Sequence, residues 1–370
     1  MEQLITSIYH QLQDYRADEK NPNVHITPDS IITWIKQFDK AHQAPILLEV
    51  DKIMKARYLS KSRVTDFLSS LVDVFINDFK IKDPVDFLKN ANFIDIQEPG
   101  KSQKLMLSLF DSIIQNKYGI SLNECGSISK KYSIYIDDVL CTGSKMLNDT
   151  TKWLGQDFVK GKLNKEAIND GSTILIYAYV FIHNRNYYKK VKQMRHSSNE
   201  VANKHKMYRL VEIENEINTN SKIDIIHPIE NGQPQIVIDY KNEITHLVDK
   251  HANEKKYRIN PEEFYRPSNL PLKEELFTSP QNRIIVENAF LQKGIEIIKN
   301  TGTPTPNIRA LGYSLPSLKD FGFGALCFTW RNIPNNTPLV FWGIGGGFNP
   351  LFKVKRGLSA EAMFAQFFNK

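Results

Sequence analysis

The sequence predicts an α/β fold in which helices flank a mainly parallel sheet and a helical module precedes it. Three observations predict this class. Residues 1–90 contain no glycine and carry apolar residues at helical spacing, a strand-turn-helix pattern then occurs twice, and a long apolar strand follows at 172–182. Strands that alternate with amphipathic helices are typical of parallel sheets.

The first 90 residues are predicted as the helical module. Two apolar series recur every three or four residues, as on one face of a helix: Leu47, Val50, Ile53 and Met54, then Val64, Phe67, Leu68, Leu71, Val72 and Phe75. No cluster of catalytic residue types occurs in these series. We interpret the module as a packing or docking element, which leaves a homo-oligomer as one option.

Residues 91–370 are predicted as one α/β domain. Its first unit is a strand at 92–96, a turn at 97–102 and a helix whose apolar face spans 105–114. Its second unit is a strand at 132–136, a turn at 137–144 and a helix whose buried face spans 146–154. The two units and the strand at 172–182 would supply the parallel sheet.

The remaining part of this domain has a less regular pattern. Residues 184–222 are rich in lysine and arginine and poor in apolar residues, so they are predicted as a basic insertion, helical or mobile. Strand candidates follow at 223–226 and 236–239, and an amphipathic helix at 282–298. Two further strands, 325–330 and 339–342, are predicted to pair around the turn 332–338.

Composition and charge narrow the possible partners. The chain of 370 residues has a formal charge of +7, which favours anionic ligands such as nucleotides, pyrophosphate or nucleic acid, although a solvated basic surface explains it equally well. The longest apolar run is too short to span a bilayer, and the first residues lack the pattern of a signal peptide. Three separated cysteines show no metal spacing. We therefore expect a cytoplasmic protein without a membrane partner.

The segment 133–144 carries the chemistry. An apolar strand delivers Asp137 and Asp138, and a turn with Thr142, Gly143 and Ser144 leads into a helix. In open α/β sheets ligands bind at the carboxyl ends of strands, and helix amino termini favour phosphate. Two carboxylates beside a phosphate would repel it unless they hold a ribose diol or a hydrated Mg²⁺. The pattern therefore predicts a sugar-phosphate site.

This segment resembles the phosphoribosyl pyrophosphate signature of the type I phosphoribosyltransferases, which has an apolar strand, an acidic pair and a Thr/Ser-Gly turn. The resemblance implies that the acidic pair faces the ribose hydroxyls, with Mg²⁺ held indirectly through water. It also implies that the turn wraps the 5′-phosphate through Cys141, Thr142, Gly143, Ser144 and Lys145. The chain departs from the signature at Lys145, where a small hydroxyl residue is usual, so its side chain could meet the phosphate or point away.

A second turn includes Gly100, Lys101 and Ser102, with Lys104 after it. Transferases of the resembling fold place a pyrophosphate-binding loop at this point, and glycine and lysine suit that role. The alternative is an ordinary strand-to-helix turn capped by Ser102.

Over most of its length the sequence resembles a narrower group, the phosphoribosyltransferase-like PRTase-CE proteins of bacterial conflict and phage-defence loci. The resembling stretches are 34–38, 99–102, the acidic-pair turn, 309–313, 322–324 and 332–342. The resemblance implies an antiviral role, and a defence-complex partner such as a retron reverse transcriptase with its nucleic acid. It also raises the asparagines Asn332, Asn335 and Asn336 to a possible substrate loop, whose alternative is a structural turn.

The connection between the first helix and the acidic-pair strand is short. Type I transferases carry a mobile lid there, and residues 118–131 leave little room for one. Either the basic insertion supplies the cover, or water is the acceptor, or no transfer occurs.

Three functions therefore stay open. The chain acts at ribose C1 of phosphoribosyl pyrophosphate or a nucleotide with Mg²⁺, by transfer or hydrolysis, as a defence effector. Alternatively it is an inactive sensor of such ligands, or a docking subunit of a defence complex.

Overall fold

The computed structural model describes residues 1–219, 221–256, 258–301 and 306–354. The chain begins with α1 (Glu2–Leu12), α2 (Pro28–Ile35), α3 (Lys40–Arg57) and the short strand β1 (Tyr58–Leu59). Local sequence fixes the start of α2, because Thr27 and Ser30 form a capping box and Pro28 occupies the first helical position. The helical character predicted for this region is confirmed.

Helices and strands then alternate through the middle of the chain. They are α4 (Lys61–Phe79), α5 (Pro84–Lys89), β2 (Ala91–Phe93), α6 (Ser102–Tyr118), β3 (Tyr132–Leu140), α7 (Ser144–Leu154), β4 (Asp157–Val159), β5 (Lys162–Leu163), α8 (Asn164–Asn169), β6 (Ile174–His183), α9 (Asn184–Ser197), α10 (Asn199–Lys204) and β7 (Lys206–Ile213).

The last part of the described chain contains two long helices and several short elements. They are α11 (Gln235–Lys255), α12 (Pro280–Lys299), β8 (Ile308–Arg309), β9 (Gly312–Tyr313), β10 (Phe328–Thr329) and α13 (Leu339–Trp342). Strand β10 pairs in parallel with β1, and β8 pairs antiparallel with β9. No helix in the described ranges is both long and apolar enough to cross a membrane.

The chain folds into two compact units. The sheet unit spans Ser62–Ile213, and the discontinuous unit joins Met1–Lys61 to the chain from Glu214 onward. The domain boundary predicted near residue 90 stays a prediction, although it does not coincide with this division.

The sheet unit is built on four parallel strands in the order β2-β3-β6-β7. Strands β3 and β6 occupy the centre and are buried along nearly their whole length, with Asp137 opposite Tyr179. An apolar cluster packs against them and includes Tyr135, Trp153, Tyr177 and Met194. The predicted α/β class with a mainly parallel sheet is confirmed. The four described strands follow chain order, so no reversal of strand order among them marks a ligand crevice.

The discontinuous unit joins its two chain segments through aromatic packing. The indole of Trp34 donates to the carbonyl of Val340 at 2.7 Å, and its ring stacks on Phe341 at 6.0 Å between centroids. Phe290 of α12 packs edge-on against both rings. The helices of residues 1–61, the first part of the predicted N-terminal module, therefore fold together with the C-terminal part of the described chain, whereas α4 and α5 belong to the sheet unit.

The discontinuous unit contains buried ion pairs. Glu287 accepts from Arg266 at 2.8 Å and from Arg283 at 3.2 Å, and all three side chains are almost fully buried. Arg283 also pairs with Glu274. A separate buried pair joins Arg309 to Asp320 at 2.6 Å.

The prediction that residues 184–222 form an insertion is wrong. Its first part is helical, as α9 and α10, but 206–213 form β7, which pairs with β6 in the main sheet. The region is therefore the crossover between two parallel strands, together with the second of them. Strand β7 lies at the edge with much of its surface exposed, so it lacks the apolar run that reveals a central strand.

Three strand predictions in the C-terminal part are wrong. Residues 236–239 lie in α11, whose buried positions Val237, Tyr240, Ile244 and Val248 follow helical spacing. Residues 339–342 form α13, and Phe328–Thr329 pairs with β1 rather than with them. Residues 223–226 form no strand, and the carbonyls of Ile223 and Ile225 accept from the Arg283 guanidinium instead of from a neighbouring strand.

Candidate functional site

The acidic pair lies in the C-terminal half of β3, a central parallel strand, as expected. The strand continues past the pair to Leu140, so the turn begins later than the sequence indicated. Both carboxylates are 4 % exposed. Burial of two adjacent acids is costly unless other groups satisfy them, so their partners define what the site can do.

Neutral donors surround Asp137. Its Oδ1 accepts from the Ser102 hydroxyl at 2.6 Å and from the Asp138 amide at 2.9 Å. Its Oδ2 accepts from Gln97 Nε2 at 2.9 Å and from the Tyr135 hydroxyl at 3.2 Å. Within the described residues no cation is among these partners.

The same network reaches α7 through Asp149. Its Oδ2 accepts from the Tyr135 hydroxyl at 2.8 Å and from Gln97 Nε2 at 3.1 Å. Its Oδ1 pairs with Lys145 at 3.2 Å. Lys145 is therefore directed along its own helix to a carboxylate one turn away, which settles the orientation that the sequence left open.

The electrostatics of Asp137 follow from this setting. Burial, and secondly the neighbouring carboxylate of Asp138, raise the pKa of Asp137 to about 7. Its hydrogen bonds from Ser102, Asp138 and Gln97 oppose the shift. Buried acids with a raised pKa occur often at functional sites, because such sites arrange burial and neighbouring like charges to shift pKa values.

The turn after β3 leads directly into α7, and its role in phosphate binding stays a prediction. Gly143 has φ +70°, a conformation that side chains disfavour, and it directly precedes α7. Glycine offers this helix no side-chain cap, and the Ser144 amide lies 3.4 Å from Thr142 Oγ1. The Ser144 amide donates to Thr142 Oγ1, and the amides that follow it have no partner within the helix, as at any helix amino terminus, the end that favours an anion. Cys141 is buried within the turn.

The second predicted turn is joined to the acidic pair. Ser102 does not cap α6, as the alternative interpretation required, because its hydroxyl donates to Asp137. Gln103 accepts from the amides of Ile96 and Gln97 and so fixes the turn. Gly100 has φ +84° with open space beside it, whereas Lys104 pairs with Asp95 at the surface. The structure thus brings Ser102 to the site and leaves Gly100 and Lys101 at the turn.

The asparagine loop belongs to the discontinuous unit, and its hydrogen bonds are structural. The Asn336 side-chain amide donates to the Tyr313 carbonyl at 2.9 Å, and its backbone carbonyl accepts from Ala325. The carbonyls of Asn335 and Asn332 accept from the amides of Tyr313 and Thr329. These contacts match the structural-turn alternative, and a substrate role for the three asparagines stays a prediction.

The residues at the acidic pair fit Mg²⁺. Carboxylate oxygens are the hard donors that this ion prefers, and water usually completes its shell. Asp137 and Asp138 are the residues that would hold the ion, through water as the resemblance implied.

The connection between α6 and β3 contains no hairpin. Between these elements the structure places a 3₁₀ turn, Leu122–Glu124, and otherwise irregular chain. The lid expected from type I transferases is therefore absent from residues 118–131, as the length of this segment predicted.

Sequence analysis missed three residues of the network, Gln97, Tyr135 and Asp149. The spacing of two of them from predicted site residues could have revealed them. Tyr135 precedes Asp137 by two strand positions and so shares its face, and Asp149 follows Lys145 by one helical turn. Gln97 sits in a turn, where no periodicity indicates direction.

Comparison with known proteins gives a family for the chain. A family model described as PRTase-CE matches residues 31–354, a range that contains the acidic pair, both turns and the asparagine loop. No curated protein and no solved structure matches the chain. Because the family model covers most of the sequence, the chain belongs to the phosphoribosyltransferase-like PRTase-CE family.

Proposed function

We propose that the protein binds a 5-phosphorylated ribose, either phosphoribosyl pyrophosphate or a nucleotide, together with Mg²⁺ at the acidic pair, and acts at the ribose C1. The biological role would be that of an effector in bacterial anti-phage defence. The motifs shared with the PRTase-CE group support this role, and a reverse transcriptase with its nucleic acid is the corresponding partner.

One observation carries the proposal. The Ser102–Asp137 hydrogen bond of 2.6 Å ties the turn after β2 to the acidic pair of β3. Because β2 and β3 are parallel neighbours, both turns leave the same edge of the sheet. A ribose at the acidic pair could then direct its 5-phosphate to one turn and its pyrophosphate to the other.

The chemistry that fits this arrangement breaks the bond from C1 to its leaving group. Pyrophosphate or a base would leave with the electron pair of that bond, and an oxocarbenium-like centre would form at C1. When bound, Mg²⁺ would neutralise the leaving pyrophosphate. Asp138 and Asp137 would orient the ring hydroxyls, and the amides of both turns would hold the anions.

Water is the acceptor that the absent lid favours. A water oxygen would bond to C1 and lose its proton, which would give ribose 5-phosphate and pyrophosphate, or ribose 5-phosphate and a base. The helices α9 and α10 cannot be treated as a removable cover. They form the crossover to β7, so deleting them would disrupt the sheet.

A sensor is the second candidate, and one observation favours it. Asp137 is already satisfied by four neutral donors, so it could position a ligand without taking part in bond cleavage. A docking subunit is the third option, and the helices of residues 1–61 are where it would be sought.

The double variant Asp137→Asn with Asp138→Asn tests the proposal. Amide oxygens can still accept from Ser102 and the backbone, so the fold should survive. Calorimetry with phosphoribosyl pyrophosphate and Mg²⁺ should show affinity reduced by about tenfold or more, because charge-assisted bonds are lost. Asp170→Asn, an exposed acid paired with Lys162 in the same unit, is the matched control.

Mass spectrometry of the same mixtures separates the candidates. Ribose 5-phosphate formed by the natural chain and not by the double variant indicates an enzyme. Binding without turnover indicates the sensor. Equal affinity of the natural chain and the double variant would contradict the site itself.

A further inference from the structure

A lysine from α9 lies against the glycine of the phosphate turn. A Cβ built on Gly143 would stand 2.6 Å from Lys190 Cγ and 3.5 Å from its Cβ. The aliphatic stem of Lys190 therefore packs directly on the turn, in space that only glycine leaves open. Its ammonium lies three bonds beyond Cγ, at the end of a flexible stem that begins at the turn.

The setting of Lys190 is unusual for a surface lysine. Burial, and secondly Lys189, lower the pKa of Lys190, so its charge is partly withdrawn from water. Its ammonium bonds the neutral Gln193 Oε1 at 3.0 Å. Helix α9, with the sequence NRNYYKKVKQMRHS, contains no acid that could neutralise it.

The other lysine near the turn is already engaged. Lys145 pairs with Asp149, which leaves its charge at the acidic network rather than at the turn. Lys190 approaches instead from a different helix, across Gly143. Its ammonium is thus a cation whose stem is anchored at the turn and whose hydrogen-bond partner, Gln193, is neutral.

We propose that Lys190 binds the phosphate monoester of the ligand and thereby restricts the site to 5-phosphorylated ribose compounds over nucleosides. This inference rests on the proposed function. It deepens that function by assigning the selectivity to one side chain, because a charge-assisted contact discriminates a dianion from a neutral hydroxyl.

Calorimetry with ribose 5-phosphate, inorganic phosphate and adenosine tests the assignment. Lys190→Gln keeps the stem that packs on Gly143 and removes the charge, so the unfolding midpoint should stay constant. Affinity for ribose 5-phosphate and phosphate should fall about tenfold or more, whereas any binding of adenosine should not change. Lys192→Gln, exposed on the same helix, is the matched control and should alter affinity less than about twofold.

Each outcome decides between the proposals. Loss of phosphate affinity in Lys190→Gln alone, with partial recovery in Lys190→Arg, supports the assignment. Unchanged phosphate affinity in Lys190→Gln overturns it while leaving the proposed function intact. If the natural chain binds neither phosphorylated probe nor phosphoribosyl pyrophosphate, both proposals are overturned together.

Discussion

The two compact units treat buried charge in opposite ways. In the discontinuous unit, Glu287 and Asp320 are buried against guanidinium groups of Arg266, Arg283 and Arg309. In the sheet unit, Asp137 is equally buried but is held by hydroxyl and amide donors. The buried acids of the discontinuous unit are neutralised by guanidinium groups, whereas Asp137 has no cation among its described partners, and buried acids with a strongly shifted pKa occur often at functional sites. The contrast separates a structural network from a candidate ligand site.

Glu49 is an exception to this contrast between the two units. It is fully buried in the discontinuous unit, yet it accepts from Thr278 and Asn282 rather than from a guanidinium. Burial with neutral donors is therefore insufficient to mark a site. Asp137 differs from Glu49 because a second acid adjoins it and because both acids of the pair lie beside a turn suited to phosphate.

The largest effect is expected from Glu287→Gln. The change leaves the Arg266 guanidinium without its buried counter-charge and leaves Arg283 with Glu274 alone, which should reduce the free energy of unfolding by about 3–5 kcal/mol. Urea titration followed by tryptophan fluorescence measures the change. Glu296→Gln on the same helix removes an exposed pair with Lys293 and should cost less than about 1 kcal/mol. Equal losses in both variants would contradict a special role for the buried pair.

An intermediate effect is expected from a change of pH on the free energy of unfolding of the sheet unit. The folded pKa of Asp137, about 7, exceeds its ordinary value of 3.8, so the folded chain holds this proton more tightly. The resulting stability is fully present below pH 3.8 and is lost as pH rises through 7. At about 1.4 kcal/mol per pH unit, the loss between pH 5 and 7 should be about 2 kcal/mol.

Asp137→Asn isolates this contribution. The natural chain should lose this stability between about pH 5 and 7, whereas the variant has no carboxyl group at this position to lose a proton. The unfolding free energy of the variant should therefore rise steadily relative to that of the natural chain over this range. Urea titration at several pH values measures it. Parallel pH curves for the two proteins would show that Asp137 does not carry a raised pKa.

The smallest effect is expected at two glycines with the same kind of backbone. Gly143→Ala and Gly100→Ala each place a side chain at positive φ, which costs about 1 kcal/mol. At Gly100 nothing lies within 4 Å of the added Cβ, whereas at Gly143 the Lys190 stem must move. Gly143→Ala should therefore be the more destabilising by about 1 kcal/mol, as measured by chemical denaturation. Equal losses of unfolding free energy in the two variants would mean that the Lys190 side chain moves away from the added methyl group at no cost.

The sheet and the acidic-pair turn could be predicted from the sequence, because both depend on local patterns. Strands β3 and β6 are apolar runs between turns, and α7 has an apolar face of helical period. Prediction failed where tertiary contacts decide. Residues 223–226 have the composition of a strand, but a guanidinium takes their carbonyls. The hydrogen bond from Ser102 to Asp137 joins residues 35 positions apart, so no local sequence pattern predicts it.

The discontinuity of one unit has a consequence for folding during synthesis. All residues of the sheet unit leave the ribosome before Glu214, so its four strands can pair while the rest is still being made. The helices of residues 1–61 emerge first but find their partners last, since the Trp34–Val340 bond joins residues 306 positions apart. Until then Trp34, Phe38 and Ile31 expose apolar surface that the finished fold buries. The N-terminal helices therefore keep this apolar surface uncovered until the C-terminal part of the chain has been made.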